Sequence, residues 1–324
     1  MHTPGHPRDA SSRMYYRATF ADRNLIVMAM PVGEASSLAE EVTDKNTQSK
    51  EIPFVDIGRL LMHNHVHVPI IHRVDRELGL LLLEDFGDQL LVNEVQGQKT
   101  EHQIQWYEKS LQELLKLSSI PATGASVAFE RTYNEFLYTW EFDHYLEYGL
   151  SESSSHNQNL LRELRAEFAK LTTMYLSWEN VFCHRDFHSR NLIVTPDKRI
   201  GVIDFQDALL APIYYDLASL LKDAYIELDR RVIETLLENF AKAWNRDRHV
   251  SVSPQEMIRN VDWISIQRNL KAFGRFFYID KVKHNPRYLA DTPRLAKYIR
   301  ENFGRYPELS PLKTLLEPAL LEVI

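Results

Sequence analysis

The feature that most constrains the fold of this chain is a predicted β-hairpin early in the second half of the sequence, bounded by polar side chains. Its two apolar runs, residues 192–194 and 202–203, are rich in β-branched residues, and residues 195–198 between them have the composition of a turn. Because the two ends of a hairpin lie side by side, we expect Asn191, before the first strand, to neighbour Asp204, after the second.

The polar residues around this hairpin are of the types that phosphoryl transfer requires. A His-Arg-Asp sequence ends at Asp186, Asn191 follows five residues later, and Asp204 is followed by phenylalanine. In this chemistry one carboxylate orients the attacking hydroxyl and accepts its proton, while an amide oxygen and a second carboxylate hold Mg²⁺ against nucleotide phosphates. The order also matches the catalytic and metal-binding loops of protein kinases. The alternative is that these are surface polar residues at the ends of an ordinary hairpin.

Length and composition set the class of protein. A chain of 324 residues is long enough for two lobes with a sizeable core. Its 44% hydrophobic and 26% charged residues are typical of a soluble globular protein. The net charge of -7 argues against nucleic acid as the main partner, because there is no basic excess to neutralise phosphates.

The sequence shows neither a secretory signal nor a segment that would span a membrane. The N-terminus lacks the apolar stretch of a secretory signal, and runs such as residues 80–83 are too short to cross a bilayer. The single cysteine, Cys183, lies in an apolar run and is predicted to be a buried structural thiol. We therefore expect a cytoplasmic protein without a membrane partner.

The first lobe is predicted to begin with a β-hairpin over residues 15–20 and 24–28. The polar segment before it contains Ser11, Ser12 and Arg13, which offer hydroxyl, backbone N–H and guanidinium donors for nucleotide phosphates. The alternative for this segment is a frayed terminus. The second strand carries no lysine, although the kinase template places its phosphate-binding lysine there.

The boundary between the lobes is predicted at Phe86. Residues 80–83 form an apolar strand, and backbone groups from Glu84 to Phe86 are candidates for binding adenine. Helical patterns dominate after this point, and Asp216 precedes an apolar stretch in a position that suits a helix N-cap. Arg268, on a later and largely apolar helix, is a candidate for facing the substrate, with a solvated face as the alternative.

Two parts of the catalytic segment, HRDFHSRNLIV at residues 184–194 and GVIDFQDALLAPIYYD at residues 201–216, resemble the aminoglycoside phosphotransferase and choline kinase family. Within it the chain is most similar to the bacterial N-acetylmuramate/N-acetylglucosamine anomeric sugar kinases of cell-wall recycling. That closer resemblance is carried by DASSRMYY at 9–16, IVM at 26–28, DFQDA at 204–208 and PRYLAD at 286–291. It covers nearly the whole chain.

The resemblance implies a role for each matching residue. Asp186 corresponds to the catalytic base, and Asn191 and Asp204 to the Mg²⁺ ligands. Asp216 corresponds to a structural aspartate behind the catalytic loop, and His184 to a structural support of the same loop. The Asp-Phe-Gln-Asp run departs from Asp-Phe-Gly, so that Gln206 and Asp207 are candidates for facing the sugar.

Together these observations predict an α+β, two-lobed, protein-kinase-like fold with a small β-rich N-lobe (residues 1–86, covering the nucleotide) and a large helical C-lobe (residues 87–324, catalytic and substrate-binding). The predicted reaction is ATP- and Mg²⁺-dependent phosphorylation of an amino sugar at its anomeric hydroxyl. Two alternatives stay open: the same machinery with another acceptor (an aminoglycoside, a choline-like amine or another sugar), and a nucleotide-binding module without catalysis. The preferred sugar and the oligomeric state are open as well.

Overall fold

The structure is a computed structural model that describes residues 13–20, 23–30 and 51–321. These residues form two compact units, each described by itself below. The first unit comprises the chain up to Thr132 together with His184–Asp186 and Arg190–Leu210. The second comprises Tyr133–Cys183, Phe187–Ser189 and the chain from Ala211 onward. The lobe boundary at Phe86 stays a prediction.

The first unit contains a four-stranded antiparallel sheet. Its strands are β1 (Met14–Thr19), β2 (Asn24–Ala29), β3 (Ile71–Asp75) and β4 (Leu80–Glu84), in the spatial order β1-β2-β4-β3. The predicted first hairpin is present, because β1 pairs with β2. The predicted apolar strand is present as β4, which pairs with β2. The turn residues Ala21 and Asp22 lie outside the described residues.

The edge strand β1 is tied to the segment that follows β4. Arg17 donates from Nε to the Asp85 carboxylate at 2.6 Å and from Nη1 to the Asp88 carboxylate at 2.7 Å. Such a forked guanidinium contact is more specific in geometry than a single ion pair. It holds the first hairpin against the segment predicted to bind adenine.

Helix α1 (Pro53–His63) packs within the first unit. Proline at its first position suits a helix start, because its missing N–H has no partner there anyway. Its buried Phe54 stacks on Phe205 with ring centroids 4.6 Å apart. A Cβ at Gly58 would lie 3.2 Å from the same ring, so glycine permits the close approach of helix and ring. The residue that follows Asp204 is thereby anchored in the core.

The rest of the first unit contains three further helices and the central hairpin. The helices are α2 (Leu91–Val95), α3 (Thr100–Ser118) and α4 (Val127–Glu130). Strands β6 (Leu192–Val194) and β7 (Ile200–Val202) pair antiparallel, with Leu192 opposite Val202. The predicted central hairpin is confirmed. Its turn includes Lys198 in a left-handed conformation, φ 63°.

The second unit is mainly helical. Its helices are α5 (Glu135–Tyr148), α6 (Glu152–Ser155), α7 (Gln158–Leu176), α8 (Ile213–Leu221), α9 (Arg230–Arg248), α10 (Pro254–Lys283), α11 (Thr292–Arg305) and α12 (Ser310–Leu321), with 3₁₀ turns at Pro286–Asp291 and Pro307–Leu309. Strands β5 (Asn180–Cys183) and β8 (Leu209–Pro212) pair beside them. The long helix α10 contacts α5, α8, α9 and α11. At Gly274 any side chain would come within 2.8 Å of the Tyr145 Cα, so glycine allows α10 to lie directly against α5.

A buried charged cluster joins four of these helical segments. The fully buried Asp262 on α10 accepts from Lys222 at 2.6 Å, from Arg230 at 2.6 Å and from the Tyr306 hydroxyl at 2.7 Å. Lys222 also donates to Asn302 on α11 at 2.8 Å. Because every charge in the cluster has an opposite charge or a hydrogen-bond partner, the cost of its burial is offset.

Two sequence-based expectations about this unit have different outcomes. Cys183 is buried and donates to the Ala211 carbonyl at 3.3 Å, so the predicted structural thiol is confirmed. Burial also raises the pKa of this thiol, which makes it a poor nucleophile. The N-cap assignment of Asp216 was wrong: α8 begins at Ile213 directly after Pro212, and Asp216 lies inside its first turn.

Across the described part of the chain, none of the helices has both the length and the apolar surface that spanning a membrane requires.

Candidate active site

The loop that carries Asp186 runs from β5 to β6 and is held by its own backbone and by the hairpin. The buried His184 makes a 2.9 Å hydrogen bond through Nε2 to the carbonyl of Ile203, next to Asp204. Arg185 is buried with φ 77°, a conformation that costs a non-glycine residue free energy. Such outliers persist where the surrounding structure enforces them, and they cluster at functional sites.

Asn191 connects this loop to the far end of the hairpin. Its side-chain Nδ2 donates to the backbone carbonyl of Asp186 at 2.9 Å. Its own carbonyl accepts from the N–H of Ile203 at 3.1 Å, which continues the β6–β7 ladder by one pair. The predicted proximity of Asn191 and Asp204 therefore follows from the antiparallel register, and Asp186 joins them through a backbone hydrogen bond.

Asp204 begins the segment after the hairpin and is a second backbone outlier, with φ 62°. Aspartate tolerates this left-handed region better than most residues. Its side chain is 46% exposed, and its Oδ1 lies 3.7 Å from Nη1 of Arg13, whose side chain is only 5% exposed. A guanidinium is thus held beside the carboxylate predicted to bind metal.

Gln206 and Asp207 extend the same cluster. The Gln206 Nε2 donates to Oδ1 of Asp204 at 2.9 Å and to Oδ2 of Asp207 at 3.2 Å, so one amide holds the two carboxylates together. The backbone carbonyl of Gln206 accepts from the buried Arg131 at 2.7 Å. This last contact anchors the backbone of the segment at Gln206.

The surroundings of Asp204 disfavour its negative charge. Desolvation raises the pKa of its carboxyl, and the neighbouring carboxyls of Asp207 and Asp186 act in the same direction. The guanidinium of Arg13 and the amide of Gln206 act against them. A bound cation would stabilise the ionised form of Asp204.

The donor set fits a hard divalent cation. Carboxylate and amide oxygens are the ligands that Mg²⁺ prefers, and the amide orientation of Asn191 directs its oxygen away from the Asp186 carbonyl. Beside Asp204, Oε1 of Gln206 and Oδ1 of Asp207 are buried, and no donor among the described residues reaches them. Within residues 13–20, 23–30 and 51–321, no three His, Cys, Asp or Glu side chains form a metal site by themselves. The residues present therefore suit a cation whose remaining ligands are water and phosphate oxygens.

The predicted adenine-binding segment lies at the end of β4. The N–H of Glu84 is used within the sheet, where it donates to the Ile70 carbonyl at 2.9 Å. The buried Phe86 packs its ring against His67, with centroids 4.6 Å apart, and against the Gly201 backbone. Any Cβ at Gly201 would clash with that ring, so Phe86 ties this segment to the central hairpin. Ser11 and Ser12, predicted beside the phosphates, lie outside the described residues.

The remaining predicted residues belong to the second unit. Arg268 is buried, and its Nε donates to Oγ of Ser219 on α8 at 2.9 Å. Asp216 is fully buried, and its carboxyl helps to raise the pKa of the Cys183 thiol.

Sequence reasoning missed Arg131 and Asp223. Asp223 is buried just after α8 and accepts the backbone N–H of Ser189, in the catalytic loop, at 2.9 Å. Both residues act on backbone groups far away in sequence, and no local motif marks such contacts.

Comparison with known proteins identifies the family. A model of the phosphotransferase enzyme family matches residues 3–250, most of the chain. The chain belongs to this phosphotransferase family. The prediction of a phosphotransferase with the motifs of this group is therefore confirmed.

Relatives and solved structures extend this finding. The N-acetylmuramate/N-acetylglucosamine kinase of Pseudomonas aeruginosa is 31% identical over 313 residues, covering 95% of this phosphotransferase and 86% of the relative. The protein of the same name from Pseudomonas putida is 29% identical over 317 residues, covering 95% and 85%.

Two crystal structures share the fold of this phosphotransferase at low sequence identity. The choline kinase LicA from Streptococcus pneumoniae has a TM-score of 0.57 and 16% identity, covering 89% of each chain. The ADP-bound aminoglycoside phosphotransferase APH(2'')-Ib has a TM-score of 0.56 and 13% identity, covering 89% of this chain and 92% of that one. The predicted α+β, protein-kinase-like fold is confirmed.

Proposed function

We propose that this phosphotransferase transfers the γ-phosphoryl group of ATP to the anomeric hydroxyl of N-acetylmuramate or N-acetylglucosamine. The observation that carries the reaction is the junction at Asn191, which joins the backbone of Asp186 to the hairpin end at Asp204. The acceptor is inferred from the shared name of relatives that cover 95% of the chain. ATP is inferred from the family and from the ADP-bound neighbour. We place the reaction in the cytoplasm, where ATP is available.

Asp186 acts as the base in this proposal. Its carboxylate accepts the proton of the anomeric hydroxyl while the O1–Pγ bond forms and the bond from Pγ to the bridging oxygen breaks, releasing ADP. An anomeric hydroxyl is more acidic than an ordinary alcohol, so a positioned carboxylate suffices. Asn191 and Asp204 would hold Mg²⁺, which neutralises phosphate charge when bound. Alignment and electrostatics then supply most of the rate.

Arg13 takes the place of the missing lysine. Strand β2 carries no cation from Asn24 to Ala29, whereas the Arg13 guanidinium is held 3.7 Å from Asp204 with 5% of its side chain exposed. The nucleotide phosphates must lie beside Asp204, the proposed metal ligand, and Arg13 supplies a cation at that place. Ser11 and Ser12 remain predicted hydrogen-bond donors to the phosphates. The backbone of Phe86 carries the adenine contact, because the N–H of Glu84 is used by the sheet.

Replacing Arg13 with glutamine tests this role. Loss of a charge-assisted contact to phosphate should lower kcat/KM for ATP about 10–100-fold, since such hydrogen bonds contribute roughly 1.5–3 kcal/mol. Steady-state kinetics with ATP varied at saturating sugar measures the effect. Arg23→Gln, an exposed arginine in the same hairpin, is the matched control and should retain wild-type kinetics. Wild-type kinetics in Arg13→Gln would show that another group meets the phosphate charge.

The acceptor side remains a proposal of the same kind. Gln206 and Asp207 are supported as sugar contacts by their buried acceptor oxygens, which suit hydroxyl donors as well as a cation. Arg268 is supported only by its place beside Ser219, and His184 by its bond to the Ile203 carbonyl. Asp216 is supported by complete burial beneath β5.

The function is tested by ADP release from Mg·ATP against N-acetylmuramate, N-acetylglucosamine, glucose, choline and kanamycin. We expect turnover with the two N-acetyl sugars and, by ³¹P NMR, phosphate at C1. Turnover with choline or kanamycin alone would keep the reaction class and overturn the acceptor. Stabilisation by Mg·ATP in a thermal-shift titration, without turnover on any acceptor, would support the non-catalytic alternative.

A further inference from the structure

Two aromatic rings lie together just beyond the catalytic base. His188 follows Asp186 by two residues, and its ring packs edge to face on Tyr225, with centroids 5.3 Å apart and planes at 78°. Both rings are half-buried, whereas Phe276 and Tyr288, which continue the row of rings behind Tyr225, are 5% and 7% exposed. The row therefore has a buried end and a partly exposed end, and the exposed end belongs to the catalytic loop.

One buried carboxylate binds the backbone beside both half-buried rings. Asp223 accepts the backbone N–H of Ser189 with Oδ2 at 2.9 Å and the backbone N–H of Tyr225 with Oδ1 at 3.0 Å. It is 2% exposed, so both hydrogen bonds are shielded from water. The residue next to His188 and the backbone of Tyr225 are thus attached to the same side chain, which preorganises the pair.

The distance along the chain limits what these rings can meet. Two residues of extended backbone span at most about 7 Å, so the backbone of His188 lies within that distance of the backbone of Asp186. Half-exposed aromatic rings with a polar tip offer an apolar face and a hydrogen-bonding edge, the two features that pockets for small polar molecules combine.

An amino sugar matches this chemistry. A pyranose ring presents C–H groups on its faces and hydroxyls at its edge, and an N-acetyl group adds a methyl. A polycationic acceptor would instead call for several available carboxylates, whereas Asp223 beside the rings is occupied by two backbone amides.

We propose that His188 and Tyr225 form an aromatic platform on which the acceptor sugar packs, with Asp223 as the positioning residue that holds the platform together. The inference rests on the proposed function and extends it by assigning acceptor-binding residues.

The test is a comparison of KM values for sugar and for ATP. Tyr225→Leu keeps apolar volume against Phe276 but removes the aromatic face, and KM for N-acetylglucosamine should rise about tenfold while KM for ATP stays at the wild-type value. Tyr225→Phe keeps the ring and should restore most of the sugar affinity. The melting temperature and the ATP KM report whether each variant is folded.

A second His–Tyr pair in the same unit provides the matched control. His144 and Tyr278 have ring centroids 5.3 Å apart on α5 and α10, away from the catalytic loop in sequence, so Tyr278→Leu should leave KM for the sugar unchanged.

The outcomes separate the two proposals. If the wild type turns over the N-acetyl sugars and Tyr225→Leu keeps their KM, the platform is wrong and the function stands. An equal rise in sugar KM for Tyr278→Leu would also overturn the platform, because it would show a general packing effect. Absence of turnover with either sugar in the wild type overturns the proposed function, and the platform with it.

Discussion

Replacing Asp186 with asparagine is expected to lower kcat about 10²–10⁴-fold, the usual contribution of a positioned general base. An amide has the size of the carboxylate but does not accept the proton of the acceptor hydroxyl. The contact from Asn191 goes to the backbone carbonyl of Asp186, so the substitution leaves it intact. KM for ATP should therefore change little. Single-turnover kinetics with N-acetylglucosamine would measure the chemical step directly.

Asp197→Asn is the matched control for this variant. Asp197 is an exposed carboxylate in the turn of the central hairpin, paired with Arg199. The substitution likewise replaces one carboxylate with an amide, but outside the loop that carries Asp186, and should leave kcat at the wild-type value. Full turnover in Asp186→Asn, or an equal loss in Asp197→Asn, would show that Asp186 is not the base.

Replacing Asp262 with alanine is expected to destabilise the protein by about 3–5 kcal/mol, the typical cost of removing one partner from a buried ion pair. Asp262 is completely buried, and its loss leaves Lys222 and Arg230 without the charge that compensates them. The Tyr306 hydroxyl loses its acceptor as well. Thermal and guanidinium unfolding, recorded on the full chain, measures the change.

The exposed pair of Arg246 and Asp247 supplies the control for Asp262→Ala, and the pH dependence of stability supplies a second measurement. Asp247→Ala removes the partner of Arg246 at the surface and should cost little, because solvent screens such pairs. Burial alone raises the pKa of Asp262, but Lys222 and Arg230 outweigh it and hold this pKa below its ordinary value of 3.8. A carboxyl whose pKa is lower in the folded state than in the unfolded state stabilises the folded protein at pH values above the unfolded-state pKa. This contribution to stability is lost as the pH falls through the folded-state pKa. The stability gap between wild type and Asp262→Ala should therefore narrow below pH 3.8. A variant as stable as the wild type at neutral pH would contradict the role of the cluster.

Local patterns in the sequence predicted the parts of the site that depend on neighbouring residues. The runs around residues 192–194 and 200–202 are β-branched and separated by turn residues, and they pair as expected. Antiparallel pairing then brings Asn191 and Asp204 together by geometry alone. Asp216 shows the limit of this reasoning: its apolar neighbours indicated a helix, but the start of α8 was set by Pro212 and the end of β8.

Contacts between residues that are distant in sequence could not be predicted from local patterns. Arg13 and Asp204 are far apart in sequence, and Arg131 donates to the backbone carbonyl of Gln206, 75 residues away. Asp223 accepts the backbone N–H of Ser189, 34 residues away, a group that any residue except proline would offer. A side chain that recognises backbone leaves no complementary residue type to find.

The sequence by itself determined the local arrangement of the groups proposed to react, because a carboxylate, an amide and a second carboxylate at hairpin spacing are defined by residue type and local geometry. The tertiary structure decided which cation stands beside Asp204 and which rings accompany the catalytic loop. Those choices depend on how separate elements pack, and packing joins residues whose positions in the chain carry no record of their contact.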